Sequence, residues 1–186
     1  ISDWVGAISK TAEELSRFKG EEVAVIGSGR MTNEELYLLR RLADTLETDL
    51  LSLVPRFGES DGKLISADRN PNTSGAKLIW ASGNPYAKLE SIRQGVVDGK
   101  IKALIVFYED LLGDAQFKAD DLANLEFLAS NHILTNKTAK ASDVVLPGAG
   151  FAEKRGSLVN ITGRLQRLNQ AISPPPGAMD DWEILR

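Results

Sequence analysis

With 186 residues, 42% hydrophobic and 26% charged, the chain can bury a sizeable core and has an ordinary globular composition. A net charge of −4 and a pI near 5.2 argue against nucleic acid or an anionic membrane as its main partner, and no apolar run approaches the roughly 20 residues of a membrane-spanning helix. Cysteine is absent and His132 is the only histidine. This excludes disulfides, thiolate iron–sulfur ligation and cysteine nucleophiles within these boundaries, and leaves a zinc site to be built from carboxylates, which zinc seldom accepts.

In chain order, Trp4, Ile8, Ala12 and Leu15 fall at helical spacing, and Gly20 closes the run. The β-branched stretch at 23–26 suits a strand buried on both faces. Gly27 to Arg30 then form a tight turn, and Thr32 with Glu35 makes a capping box for a helix reaching about Leu46. Residues 48–75 carry turn clusters with little periodicity and read as a long irregular link. Residues 78–81 suit a short strand, or the lead into a helix. Leu89, Ile92 and Val96 share a helix face that Gly99 ends.

The apolar run 103–108 is the strongest strand signal. An acidic helical stretch at 120–124, a strand at 125–129, a short helix at 138–141 and a strand at 144–146 follow, the last stopped by Pro147. Beyond Gly148 the chain reads as glycine-rich and irregular, with Pro174, Pro175 and Pro176 extended before a final helix. This alternation predicts an α/β fold: a mostly parallel open sheet with helices on both faces. Residues 1–75 form a first βα part and link, and residues 76–186 a second α/β part with a glycine-rich loop and proline-rich tail. The absence of an initial Met and the helix-opening turns at the end make the chain read as a fragment of something longer.

Several features could carry chemistry. Gly27 and Gly29 lie between a strand and a capped helix, where backbone amides could receive a phosphate, but Thr32 stands where the dinucleotide fingerprint has its third glycine. A structural turn is the plainer reading. Glu109 and Asp110 follow the central strand at the edge where open α/β sheets bind ligands; the plain alternative is a solvated loop capped through Asp110. His132 lacks any accompanying nucleophile motif, which favours a loop or strand-edge position. The stretch 156–167 places Gly156, Asn160 and Gly163 before Arg164, Gln166 and Arg167. Such a mixture could clamp a phosphate through arginine, or pin a glycine-rich loop to the sheet.

The ordered motifs AKASDVVLP (139–147), FAEKRG (151–156), NITGRLQ (160–166) and DW (181–182), with TNEEL (32–36) and DGKIKAL (98–104) upstream, touch most of the chain. Together they resemble the molybdopterin oxidoreductase family. In that family two α/β domains cradle a pair of pterin guanine dinucleotides around molybdenum or tungsten, beside an iron–sulfur domain and a β-barrel. The chain is similar to a shortened α/β portion. Its compact link around PNTSG (71–75) resembles the large iron–sulfur subunits of NADH:quinone oxidoreductases (respiratory complex I), which often keep the fold without the metal cofactor. Lys137 replaces the acid that pterin-binding members often carry there.

The resemblance therefore implies a scaffold fragment, inactive alone, that holds no cofactor and supports electron transfer from NADH through iron–sulfur clusters elsewhere in the parent. Its expected partners are the rest of its own polypeptide and other respiratory subunits, without direct membrane insertion, on the cytoplasmic side of the bacterial inner membrane. A formate-dehydrogenase-like enzyme is the alternative; there Gly156, Asn160, Gly163, Arg164 and Gln166 would hold the pterin guanine dinucleotide. A stand-alone nucleotide-binding module, resting on Gly27 and Gly29, is the third reading.

Overall fold

The structure, a computed structural model, describes residues 2–114 and 116–186. Helix α1 (Trp4–Leu15) starts at Asp3, whose carboxylate accepts from the Gly6 amide at 2.8 Å. Strand β1 (Val23–Gly27) is buried at every position and leads through the 28–32 turn into α2 (Asn33–Thr45). The capping box is present: the Glu35 amide donates to Thr32 Oγ1 at 3.3 Å, and the Thr32 amide to Glu35 Oε2 at 2.7 Å. Thr32→Ala is expected to cost about 1–2 kcal/mol, because a buried helix start loses its cap, and a urea midpoint would register it.

Strand β2 (Leu51–Leu53), α3 (Thr73–Ile79), α4 (Leu89–Val97) and β3 (Ala103–Phe107) follow. Then come β4 (Phe127–His132), α5 (Lys137–Ala141), β5 (Val144–Pro147), the hairpin β6 (Gly156–Val159) with β7 (Leu165–Leu168), and the short α6 (Asp181–Ile184). The sheet is five-stranded and all parallel, in the order β2-β1-β3-β4-β5. Strands from both sides of residue 75 thus join one sheet.

Alternation along the strands divides the core into two layers. Val23, Val25, Ile105 and Phe107 pack with Leu36 and Leu39 of α2 and with Leu15. Ala24, Ile26, Leu104 and Val106 pack with Ile92 and Val96 of α4. Burying a side chain of this size contributes roughly 1.5–3 kcal/mol, so the two layers account for much of the stability. The expectation of a parallel sheet covered on both faces holds.

Five local expectations do not. The 48–75 link contains β2, a three-residue edge strand too short to show periodicity, buried because it pairs with β1. Residues 78–81 belong to the end of α3 and its cap, not to a strand; Ala81 leaves the helix with a φ of 49°. The tail beyond Gly148 is not wholly irregular: β6 and β7 pair antiparallel, Gly156 opposite Leu168 and Val159 opposite Leu165. The acidic stretch forms a single 3-10 turn (Ala119–Leu122), and β4 starts two residues later than predicted.

Candidate functional site

The chain leaves β1 towards β2 on one side and returns to β3 on the other, so the direction of winding reverses between β1 and β3. Beyond the carboxyl ends of these strands lies the crevice where doubly wound sheets hold ligands. A cavity of about 750 Å³ elsewhere lies between α1 and β5; the one at this crevice, about 530 Å³, is lined by Arg30, Arg56, Arg69, Tyr108, His132 and Lys154 among others.

Its charges are largely matched to one another. Arg56 Nη2 lies 2.5 Å from Glu109 Oε2 and 2.6 Å from Asp114 Oδ2. Arg30 donates to the Tyr108 carbonyl and stands 3.4 Å from Glu109 Oε2. Glu109 is therefore not part of a solvated loop, as its position after the strand suggested. It is 1% exposed, and burial raises its carboxyl against the lowering pull of Ser28, Arg30 and Arg56. Asp110 does cap the following turn, accepting from the Gly113 amide at 3.0 Å. It also binds the Thr138 amide and hydroxyl at 3.0 and 2.8 Å, fastening α5 to β3.

The turn at Gly27 and Gly29 is tight because its neighbours fill the space a side chain would take. A β-carbon on Gly27 would meet Leu39 Cδ2 at 2.5 Å, and one on Gly29 would meet Asn70 Cβ at 2.5 Å. The capping box already occupies the Thr32 and Glu35 amides. The structural reading of this turn follows: two of the amides a phosphate would need are engaged, and Asn70 covers the approach. His132, at the end of β4, is half-buried on the crevice rim. Its Nδ1 accepts from the Leu134 amide at 3.1 Å, and burial together with the nearby Arg30 lowers its pKa.

Beside the crevice sits an ionic cluster that sequence reasoning did not single out. Lys154 Nζ stands 2.9 Å from both carboxylate oxygens of Glu35, 3.0 Å from Asp181 Oδ2 and 3.0 Å from Tyr108 Oη. Lys154, Glu35 and Asp181 are all at most 1% exposed. The cluster fastens the glycine-rich segment and α6 to α2 and β3. Burial works to lower the lysine's pKa, but Asp181 and Glu35 outweigh it and raise it. Its members stood in three separate motifs, 146 residues apart from Glu35 to Asp181, and no spacing rule joins residues that distant.

The five residues predicted to hold a pterin dinucleotide all lie in or at the β6–β7 hairpin, without converging on one cavity. Gly156 packs against Thr32 and Glu34, so a β-carbon there would sit 2.7–2.9 Å from their side chains. It borders a surface groove of about 950 Å³ over α2 and α6. Asn160 Oδ1 accepts from Thr162 and from the Arg164 amide at 2.9 Å, closing the hairpin turn, and Gly163 takes a φ of 82° there. Arg164 and Gln166 are exposed. Among the described residues no three His, Cys, Asp or Glu side chains gather into a metal-holding group.

Fold and crevice define a doubly wound α/β domain with a crevice at its topological switch point. The chain belongs to the molybdopterin oxidoreductase family, whose signature matches residues 58–186. It is 43% identical over 65 residues, 35% of its length, to the F420-dependent formate dehydrogenase subunit alpha of Methanocaldococcus jannaschii. It is 30% identical over 128 residues, 67% of its length, to the mitochondrial NADH-ubiquinone oxidoreductase 78 kDa subunit of Candida albicans. A third relative, the NADPH-Fe(3+) oxidoreductase subunit alpha of Geobacter sulfurreducens, is 35% identical over 116 residues, 60% of the chain. The matches cover 10%, 17% and 13% of those proteins respectively.

Proposed function

We propose that this chain is an α/β scaffold domain of a large iron–sulfur subunit of the NADH:quinone oxidoreductase type. Within it, electrons pass through clusters held elsewhere in the same polypeptide. The supporting observation is the crevice at the β1/β3 switch. Glu109 and Asp114 neutralise Arg30 and Arg56, two of the three arginines that an anionic cofactor would meet there, and Asn70 occupies the approach to Gly29. The longest of the three alignments, with the 78 kDa subunit, agrees with this reading. The domain's partners are then the remainder of its own chain and neighbouring respiratory subunits, at the cytoplasmic side of the bacterial inner membrane. No helix among the described residues is long and apolar enough to cross a membrane.

A second reading has its own support. Arg56 Nε and Asn70 Oδ1 are buried at the crevice without a partner among the described residues, and formate dehydrogenase alpha subunits stand among the relatives. A pterin guanine dinucleotide seated there would satisfy both groups, with Arg69 as a further cation. Iron, molybdenum, tungsten and pterin content of the full-length protein from its native cells separates the two. Iron without pterin, molybdenum or tungsten is the expected result. Stoichiometric pterin with either metal would overturn the scaffold reading in favour of the second. The purified chain alone is expected not to oxidise NADH, since it contains no cysteine to ligate a cluster.

A further inference from the structure

The Lys154 cluster contains one carboxylate more than it has cations. The ammonium has three protons, directed at Glu35, Asp181 Oδ2 and Tyr108 Oη. The Tyr108 hydroxyl proton is given in turn to the Ala149 carbonyl. Glu35 is well provided as an anion, since the Thr32 amide donates to it as well. Asp181 is not: its Oδ1 is buried and, among the described residues, accepts from nothing. A second orphan lies beside it. Asn131, at the end of β4, uses its amide nitrogen on the Leu146 carbonyl at 3.2 Å, and its Oδ1 is also buried and without a partner among the described residues. Both oxygens lie within 3.0 Å of the point where a β-carbon on Gly148 would stand. Asn131 Nδ2, at 2.7 Å from the same point, is spent on the Leu146 carbonyl, so a proton on Asp181 is the donor available to these two buried acceptors.

We infer that Asp181 is a proton-binding site: in the folded chain it keeps its proton up to near neutral pH, within reach of the unpartnered Asn131 Oδ1 beside Gly148. The C-terminal segment is thereby fastened by a clasp that loosens as pH rises. Burial first, and then the Glu35 charge, push the Asp181 carboxyl up to about 7, in the direction the geometry requires. The charged and titratable groups facing it are Glu35 from α2, Tyr108 just after β3, Lys154 from the glycine-rich segment and Asp180 beside it on its own turn. His132, whose ring lies 6.3 Å from that of Tyr108, titrates below its usual value, and Arg30 holds the Tyr108 carbonyl.

The sign follows from linkage. With Asp181 undocked, its carboxyl ionises in the ordinary range near 4. With α6 docked, the proton stays on until about pH 7. Docking therefore takes up a proton between these values. It is strongest below the lower one and weakens as pH rises through the interval, levelling off above the upper.

The test is hydrogen exchange of the α6 amides (181–184) in the whole chain between pH 5 and 8.5, expressed as protection factors so that intrinsic exchange is removed. In the wild type, protection is expected to fall at least tenfold from pH 5 to pH 7.5. Asp181→Asn places a permanent N–H donor where the acid had its proton, and its protection is expected to stay level across the range. A flat wild-type profile, or an Asp181→Asn profile that falls like the wild type, would overturn the proposal. Should Asp181→Asn fail to fold, the carbon-13 shift of the Asp181 carboxyl in the wild type decides. Titration between pH 6 and 8 supports the site, and titration below 5 removes it.

Discussion

Lys154→Met is expected to destabilise the chain by about 3–5 kcal/mol, the cost of removing one partner from a fully buried ion cluster. Methionine fills nearly the same volume, so the loss is electrostatic and not a cavity effect. Glu35 and Asp181 would face each other without their cation, and Tyr108 Oη would lose its donor. At pH 8, where wild-type Asp181 has given up its proton, two carboxylates in that setting cannot both stay ionised, so the variant should hold that proton to higher pH than the wild type and be least impaired at low pH. Denaturant titrations at pH 5 and pH 8 would measure this. A loss below about 1 kcal/mol at pH 8 would show that the cluster is not the clasp described, since even a half-exposed pair approaches that value. At pH 8, adding Asp181→Asn to Lys154→Met should recover part of the loss, because one of the two like charges present at that pH is then gone.

Asn72→Ala is expected to cost about 3 kcal/mol through polar groups left buried and unpaired, each worth about 1–3 kcal/mol. The Asn72 amide nitrogen donates to the Met31 carbonyl at 2.8 Å and to Asn33 Oδ1 at 3.1 Å, while its oxygen accepts from the Val159 amide at 2.8 Å. One side chain thus joins the turn after β1, the start of α3 and the β6–β7 hairpin. Exchange of the Val159 amide should accelerate much more than that of β3, because hairpin docking fails before the sheet does. Equal acceleration in both would mean that the residue supports the whole fold and has no particular role in docking the hairpin.

Much of this architecture was legible in the residues. The β1–α2 unit follows from a β-branched run, a tight turn and a capping box, all local signals. The strand at 103–107 and the helix face of Leu89, Ile92 and Val96 were equally plain. What escaped were elements without local signals: β2, three residues long and recruited by β1, and the hairpin, whose strands are mostly exposed or half-buried and so lack alternation. The candidate site divides in the same way. Asp110 as a turn cap was readable from its place after a strand, whereas the burial of Glu109 depends on Arg30 and Arg56 arriving from two other loops.

Sequence alone determined the family, the alternation of strand and helix, and the absence of cysteine chemistry, because motif order, periodicity and composition are properties of the chain read linearly. Only the tertiary structure decided which charges meet. Glu35, Tyr108, Lys154 and Asp181 come together because a parallel sheet brings the ends of β1 and β3 side by side, and the glycine-rich segment then crosses that edge. Whether a carboxylate stays solvated or enters a buried cluster depends on what packs over it. That is a long-range contact, and no spacing along the chain encodes it.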